Sequence, residues 1–228
     1  MLYTNIKNNI AIVTGASRGI GFAISNALLN EGVYVAGWSR NAPENFQHER
    51  FVHIKTDLTK EDSVNNAYLN TVGSFGKQIN ILVNNAGVGY RGPLDSMDPE
   101  KWRYLFDLNV HGLFYATRLV IPGMKENESG HIINISSGAG TNGIAEMACY
   151  CGTKHAVAGI SESLHLELRN DGIKVTCLSP GSVQTGFSTT KKNKLLPEEL
   201  ADSVIHILKC PKNFHYTELQ IRPLQPDK

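Results

Sequence analysis

Tyr150 and Lys154 stand four residues apart in the run Tyr150-Cys151-Gly152-Thr153-Lys154, within a stretch, Met147–Asn170, that reads as an amphipathic helix. Helix positions i and i+4 share a face, so a phenol and an ammonium can present themselves to one site. A free phenol has a pKa near 10, too high for ready proton exchange near neutrality. A neighbouring ammonium favours the phenolate and is expected to lower that value, which would make Tyr150 a proton-transfer group. Lys154 can in addition donate to ribose hydroxyls of a bound nucleotide. Ser137 follows a predicted strand, His131–Ser136, thirteen residues before Tyr150, and offers a hydroxyl to the oxygen that Tyr150 would meet. Ser136 is the competing choice.

A second set of residues suits a phosphate. The apolar run Ile10–Thr14 leads into Thr14-Gly15-Ala16-Ser17-Arg18-Gly19-Ile20-Gly21, where a helix, Gly19–Asn30, begins. Glycines here permit a tight turn, close approach of backbone to a pyrophosphate, and close packing of helix on strand. The amide groups and positive end of the new helix then face the phosphates. After the second predicted strand, Val33–Trp38, an NAD site usually places an acid for the ribose 2′-hydroxyl. This chain has Ser39-Arg40 instead. A carboxylate would repel a 2′-phosphate, whereas Ser39 and Arg40 can bond and neutralise it, with Arg18 as a second cation. NADP(H) is therefore expected over NAD(H).

The elements that must carry these groups alternate along the chain. Further strands are predicted at Phe51–Lys55, Ile79–Val83, Lys174–Leu178 and Glu218–Ile221, and further helices at Lys60–Val72, Pro99–Glu126 and Pro197–Leu208. Strand–helix alternation with near-continuous apolar strands demands a parallel sheet and right-handed crossovers. The expected fold is α/β, a three-layer, doubly wound, Rossmann-like sheet of about seven strands, with residues 1–228 as one domain. Hydrophobic residues at 41% and charged residues at 19% are globular proportions, and a net charge of +1 supplies no field to recruit nucleic acid or an anionic membrane. Four cysteines, Cys149, Cys151, Cys177 and Cys210, are too sparse for a disulfide framework and lack zinc spacing, so no metal is expected and a cytoplasmic setting is. No signal peptide or membrane span is read. The Lys191-Lys192-Asn193-Lys194 cluster is taken as a solvated loop, and His155 and His165 as structural or surface residues.

The glycine spacing, G-x-x-x-G-x-G preceded by Thr14, resembles the short-chain dehydrogenase/reductase family, and the resemblance extends from about Ile10 to Thr185. It implies that Ser17, Arg18 and Ile20 line the cofactor phosphates beside Gly15, Gly19 and Gly21, and that Asp57-Leu58 hold the adenine. Asn84-Asn85-Ala86-Gly87 resembles the family's NNAG element, in which Ala86 and Gly87 let the chain pass close to the cofactor while Asn side chains tie strand ends. Asn109 matches a position where relatives open a helix around a water linked to the lysine. The family spacing favours Ser137 over Ser136. Pro180-Gly181-Ser182-Val183-Gln184-Thr185 resembles the PG-x-x-x-T element, so Val183 and Thr185 would hold the carboxamide.

What the resemblance implies is hydride transfer between NADP(H) and a small carbonyl or secondary alcohol, in cells toward carbonyl reduction. Asn109, Ser137, Tyr150 and Lys154 are the expected catalytic set. Three rivals stand beside it: a 3-oxoacyl reductase of fatty-acid type, a non-catalytic NADP(H) sensor or scaffold, and an epimerase or dehydratase. The last needs a substantial C-terminal substrate domain, and only about forty residues follow Thr185. Substrate contacts are expected from Val88–Asp95, from Gly138–Met147 and from the segment after Thr185, with Tyr90, Met147 and Phe187 as an apolar element. Helices 99–126 and 147–170 would build a homodimer or homotetramer.

Overall fold

Runs of β-branched residues become strands buried on both faces. In β1 (Ile10–Thr14) every residue is buried, as parallel strands roofed by helices require. A computed structural model describes residues 4–76, 78–185 and 194–225. Its remaining strands are β2 (Tyr34–Ser39), β3 (Phe51–Lys55), β4 (Ile79–Asn84), β5 (Gly130–Ile135), β6 (Ile173–Pro180) and β7 (Glu218–Ile221). They form one seven-stranded sheet in the order β3-β2-β1-β4-β5-β6-β7, with every pairing parallel. The helices are α1 (Gly19–Asn30), α2 (Glu61–Phe75), α3 (Pro99–Phe106), α4 (Gly112–Glu126), α5 (Ala148–Leu168) and α6 (Pro197–Leu208).

The sheet separates two apolar cores. On one side Leu28 of α1 and Val204 and Ile207 of α6 cover Val13 and Val83. On the other, Val64 of α2, Val120 and Met124 of α4 and Leu168 of α5 cover Ile12, Leu82 and Ile132. The expected three-layer, doubly wound architecture is therefore what forms. Strand order reverses between β1 and β4, and the crevice at the carboxyl ends of these two strands is where such sheets bind ligands. Among the described residues no helix is long and apolar enough to cross a membrane.

Two departures from the predicted elements have physical causes. β2 starts at Tyr34 rather than Val33, because the Val33 amide is spent on the end of α1, donating to Leu28 O at 3.0 Å across the turn that Gly32 makes at φ +76°. The expected continuous helix Pro99–Glu126 is interrupted by a π-helical turn, Asp107–His111, which separates α3 from α4. Such a turn inserts one extra residue per loop of backbone and commonly marks a working site.

Candidate active site

The turn after β1 is built by glycine at positions no other residue fits. Gly15 lies at φ +69°, and a Cβ on it would stand 2.9 Å from Asn85 Nδ2 and 3.0 Å from Ala86 Cα. A Cβ on Gly21 would collide with Asn85 Nδ2 and with the Gly15 carbonyl. Thr14 fastens the turn to the end of β4: its hydroxyl accepts from the amides of Asn85 and Ala86, both at 3.0 Å. Asn85 Nδ2 returns the bond to Thr14 O at 2.9 Å.

The start of α1 fits a pyrophosphate. Arg18 occupies the N-cap position in extended conformation and is exposed, its side chain makes no capping bond, and no acid lies in the first turn. The amides of Ser17, Arg18, Gly19 and Ile20 are thus left to an anion, and no carboxylate opposes one. Thr185, from beyond β6, reaches the same place, its Cγ2 standing 3.3 Å from where a Gly19 Cβ would lie.

Next to the turn, Ser39 ends β2, buried, with its hydroxyl donating to Asn41 O at 2.8 Å. Arg40 is exposed, its Nη1 3.5 Å from the Tyr104 hydroxyl. Asp57 follows β3. Burial opposes its charge, yet hydrogen bonds from the Thr59 hydroxyl and amide, with Arg40 and Lys60 nearby, hold its carboxyl below the ordinary value. Leu58 is buried beneath α4.

Asn84, expected among the cofactor-binding residues, ends β4 with its side chain turned into the sheet, where it ties strand ends. Asn84 Nδ2 donates to Thr117 Oγ1 and Asn134 Oδ1 at 2.9 and 2.8 Å. Asn85 is the one that touches the glycine turn. Sequence reasoning used Thr14 only as part of the glycine spacing and gave it no role of its own, and it passed over Thr153.

Ser137, Tyr150 and Lys154 come together at the head of α5. The Ser137 side chain hydrogen-bonds the Tyr150 phenol, and Lys154 Nζ lies 5.8 Å from the Tyr150 ring centre. Ser136 is separate from them: its hydroxyl is buried and donates to the Lys154 carbonyl at 3.0 Å. Lys154 is buried, and Nζ donates to Ile135 O at 2.8 Å. Burial lowers its pKa to about 8. The expectation that the ammonium depresses the phenol is corrected here. Burial raises the Tyr150 pKa because the phenolate would be poorly solvated, with the nearby Cys151 adding to the rise and the Ser137 bond pulling against it.

Asn109 sits in the π-helical turn, buried, and clamps three segments. Its Oδ1 accepts from the Val88 amide at 2.9 Å, while Nδ2 donates to Val88 O at 2.9 Å and to Thr153 Oγ1 at 3.0 Å. A Cβ on Gly87 would stand 3.1 Å from Asn109 Oδ1 and 3.7 Å from Lys154 Nζ, so the chain passes close to both. Thr14, Asn84, Asn109 and Lys154 are among the residues lining a cavity of about 10 Å³, room for a single water, and the buried Asn84 Oδ1 has no hydrogen-bond partner among the described residues.

At the end of β6, Pro180 is buried, and just beyond it the Gly181 amide donates to Ile221 O at 2.7 Å. Val183 forms an isolated parallel bridge with Leu195. Phe187 and residues 191–193 of the basic cluster lie outside the described residues, as does most of the segment after Thr185 expected to contact substrate. At the rim, Arg91 pairs with Glu146 at 3.1 Å and joins the loops before α3 and α5. The histidines lie elsewhere: His155 bonds back to Cys151 O, and His165 meets His215 edge-on at 4.8 Å.

Comparison with known proteins matches residues 9–195 to the model of the short chain dehydrogenases. An uncharacterized oxidoreductase of Staphylococcus aureus (strain MRSA252) is 33% identical over 97% of this chain and 100% of its own. Among solved structures, a serine dehydrogenase complexed with NADP+ superposes with a TM-score of 0.87 at 29% identity, covering 93% of this chain and 94% of its own. A 3-ketoacyl-(acyl-carrier-protein) reductase from Brucella melitensis complexed with NADH gives 0.89 at 25% identity, covering 96% and 98%.

Proposed function

Since this chain belongs to the short-chain dehydrogenase family, we propose that it transfers a hydride between NADP(H) and a carbonyl or secondary alcohol, running toward carbonyl reduction in cells. The observation that carries the reading is the meeting of Ser137, Tyr150 and Lys154 beside the crevice where strand order reverses. When bound, the dinucleotide supplies the hydride from its nicotinamide C4.

The protein's residues supply the rest. Gly15, Ser17, Arg18, Gly19, Ile20 and Gly21 receive the pyrophosphate; Asp57 and the Leu58 amide hold the adenine; Ala86 and Gly87 give clearance; and Pro180, Gly181, Val183 and Thr185 flank the nicotinamide. Ser137 donates to the substrate oxygen, and Tyr150 gives that oxygen its proton. A phenol whose pKa is raised by burial stays protonated and suits this donor role. The Lys154 ammonium holds ribose hydroxyls and stabilises the phenolate that Tyr150 becomes. Asn109 fixes the Val88 backbone against α5.

NADP is favoured over NAD by Ser39 and Arg40, where an acid would otherwise meet the 2′-hydroxyl. Arg40→Ala is expected to raise the KM for NADPH on the order of tenfold, the loss of one charge-assisted contact, and that for NADH by about twofold or less. Equal changes for both would overturn the preference. A second expected result concerns pH. Lys154 is protonated below about 8 and neutral above, so kcat/KM for NADPH in the reductive direction should be level below that pH and fall above it. Lys154→Met should remove the falling limb, and a wild-type profile flat to about pH 10, the ordinary phenol range, would contradict the role.

A screen of aldehydes, ketones and oxo acids following NADPH absorbance tests the whole reading, with no oxidation above background on any carbonyl counting against it and for a dinucleotide sensor. The Brucella reductase supports a second reading, reduction of a carrier-linked 3-oxoacyl thioester. We place the enzyme in the cytoplasm, consistent with four unpaired, buried cysteines. We also assign it a homodimer or homotetramer built through α4 and α5, on which Phe114 and Leu166 are exposed.

A further inference from the structure

The C-terminal segment brings a cation to the substrate end of the site. β7 pairs with β6 as far as Pro180 and Ile221, and the Gly181 amide bonded to Ile221 O fixes where the chain leaves the sheet. The next residue, Arg222, lies along Gly181, with its Cα and Cγ both 3.4 Å from where a Gly181 Cβ would be. Its Nη2 then reaches 4.0 Å from the corresponding point on Gly138, the neighbour of Ser137. Gln220 Nε2, two residues back, donates to Thr141 Oγ1 at 3.3 Å and holds the same two segments together. Glycine at both ends of this path leaves room for the side chain.

Arg222 has no hydrogen-bond or ion-pair partner among the described residues, and it is exposed. At the opposite rim the charges cancel, since Arg91 pairs with Glu146. An unpaired, planar fork of donors next to the residue that would hold the substrate oxygen suits a carboxylate. Ser137 and Gly138 are neighbours with Cα atoms ~3.8 Å apart, so a short acid is the kind of ligand that would span from one to the other.

We propose that Arg222 binds a carboxylate of the substrate, so that the site takes short oxo acids whose carboxylate is one or two carbons from the carbonyl. The inference rests on the reductase reading above. The carbonyl carbon takes a hydride from NADPH, its oxygen takes a proton from Tyr150, and the products are the hydroxy acid and NADP+; the carboxylate is unchanged.

The test compares 2-oxobutanoate and 3-oxobutanoate with their methyl esters in wild type, Arg222→Ala and Arg222→Lys, following NADPH. Wild type should reduce at least one acid with a kcat/KM about tenfold or more above its ester. Arg222→Ala should raise the KM for that acid on the order of tenfold, with kcat and the ester's constants nearly unchanged, and Arg222→Lys should recover part of the loss. Wild type that reduces esters, aldehydes or thioesters but prefers no acid would overturn the inference and leave the reductase reading standing. So would an acid preference that survives Arg222→Ala. Failure to oxidise NADPH with every carbonyl would instead overturn the reductase reading, and the inference with it.

Discussion

Tyr150→Phe is expected to lower kcat for carbonyl reduction by about three orders of magnitude while leaving the Kd for NADPH within about twofold. The size follows from the role: a positioned general acid contributes ~10²–10⁴-fold, and among the described residues no other proton donor is placed to substitute for it. Ser137 already bonds the phenol, and Lys154 is committed to Ile135 O. The ring itself stays, so packing against the head of α5 should survive and the thermal midpoint should move little. Stopped-flow kinetics with titration of NADPH fluorescence would separate the two effects. Turnover retained to within tenfold would mean that the proton comes from elsewhere.

Gly21→Ala should act at the other end of the site, on binding rather than chemistry. The added methyl meets Asn85 Nδ2 and the Gly15 carbonyl, and neither can yield freely. Asn85 is tied to Thr14 O at 2.9 Å, and Gly15 is held at φ +69° with its amide on Trp38 O at 2.8 Å. Relief must therefore come from the turn that would wrap the pyrophosphate. We expect NADPH affinity to fall about 100-fold, or ~2.7 kcal/mol. Overpacking of this kind costs ~1–3 kcal/mol of stability, which for a chain of this length lowers Tm by roughly 3–10 °C. Gly73→Ala on α2 is the control, because a Cβ there meets nothing within 4 Å. It should bind NADPH normally and melt no lower than wild type. Unaltered NADPH affinity in Gly21→Ala would place the dinucleotide away from this turn.

Much of this was legible from residue order because the relevant physics is local. Buried parallel strands announce themselves as apolar runs, and glycines between a strand and a helix mark a turn whose backbone must come close to something. Other features depend on contacts distant in sequence. Ser136 and Ser137 could not be told apart by composition. Adjacent residues of extended chain face opposite sides, so one hydroxyl is buried against the Lys154 carbonyl and the other meets Tyr150. The π-helical turn at Asp107–His111 leaves the polar and apolar order almost as a continuous helix would, so Pro99–Glu126 read as unbroken. The different contacts of Asn84 and Asn85 follow from the same alternation, since the last residue of β4 faces Asn134 of β5. The Tyr150 pKa was misjudged in direction because spacing along a helix reveals the ammonium but not the burial. Arg222 carried no signal at all; only the pairing of β7 with β6 takes it beside Gly181 and Gly138.

The central claim is that one crevice holds the dinucleotide along the glycine turn with its nicotinamide beside the Ser137 and Tyr150 hydroxyls. A crystal structure of the protein grown with NADP+ measures this directly. It should show the pyrophosphate against Gly15 to Gly21, the 2′-phosphate next to Arg40, and nicotinamide C4 facing the space that Ser137 and Tyr150 share, with Lys154 on the ribose. A dinucleotide lying elsewhere, or a ring turned away from Tyr150, would contradict it.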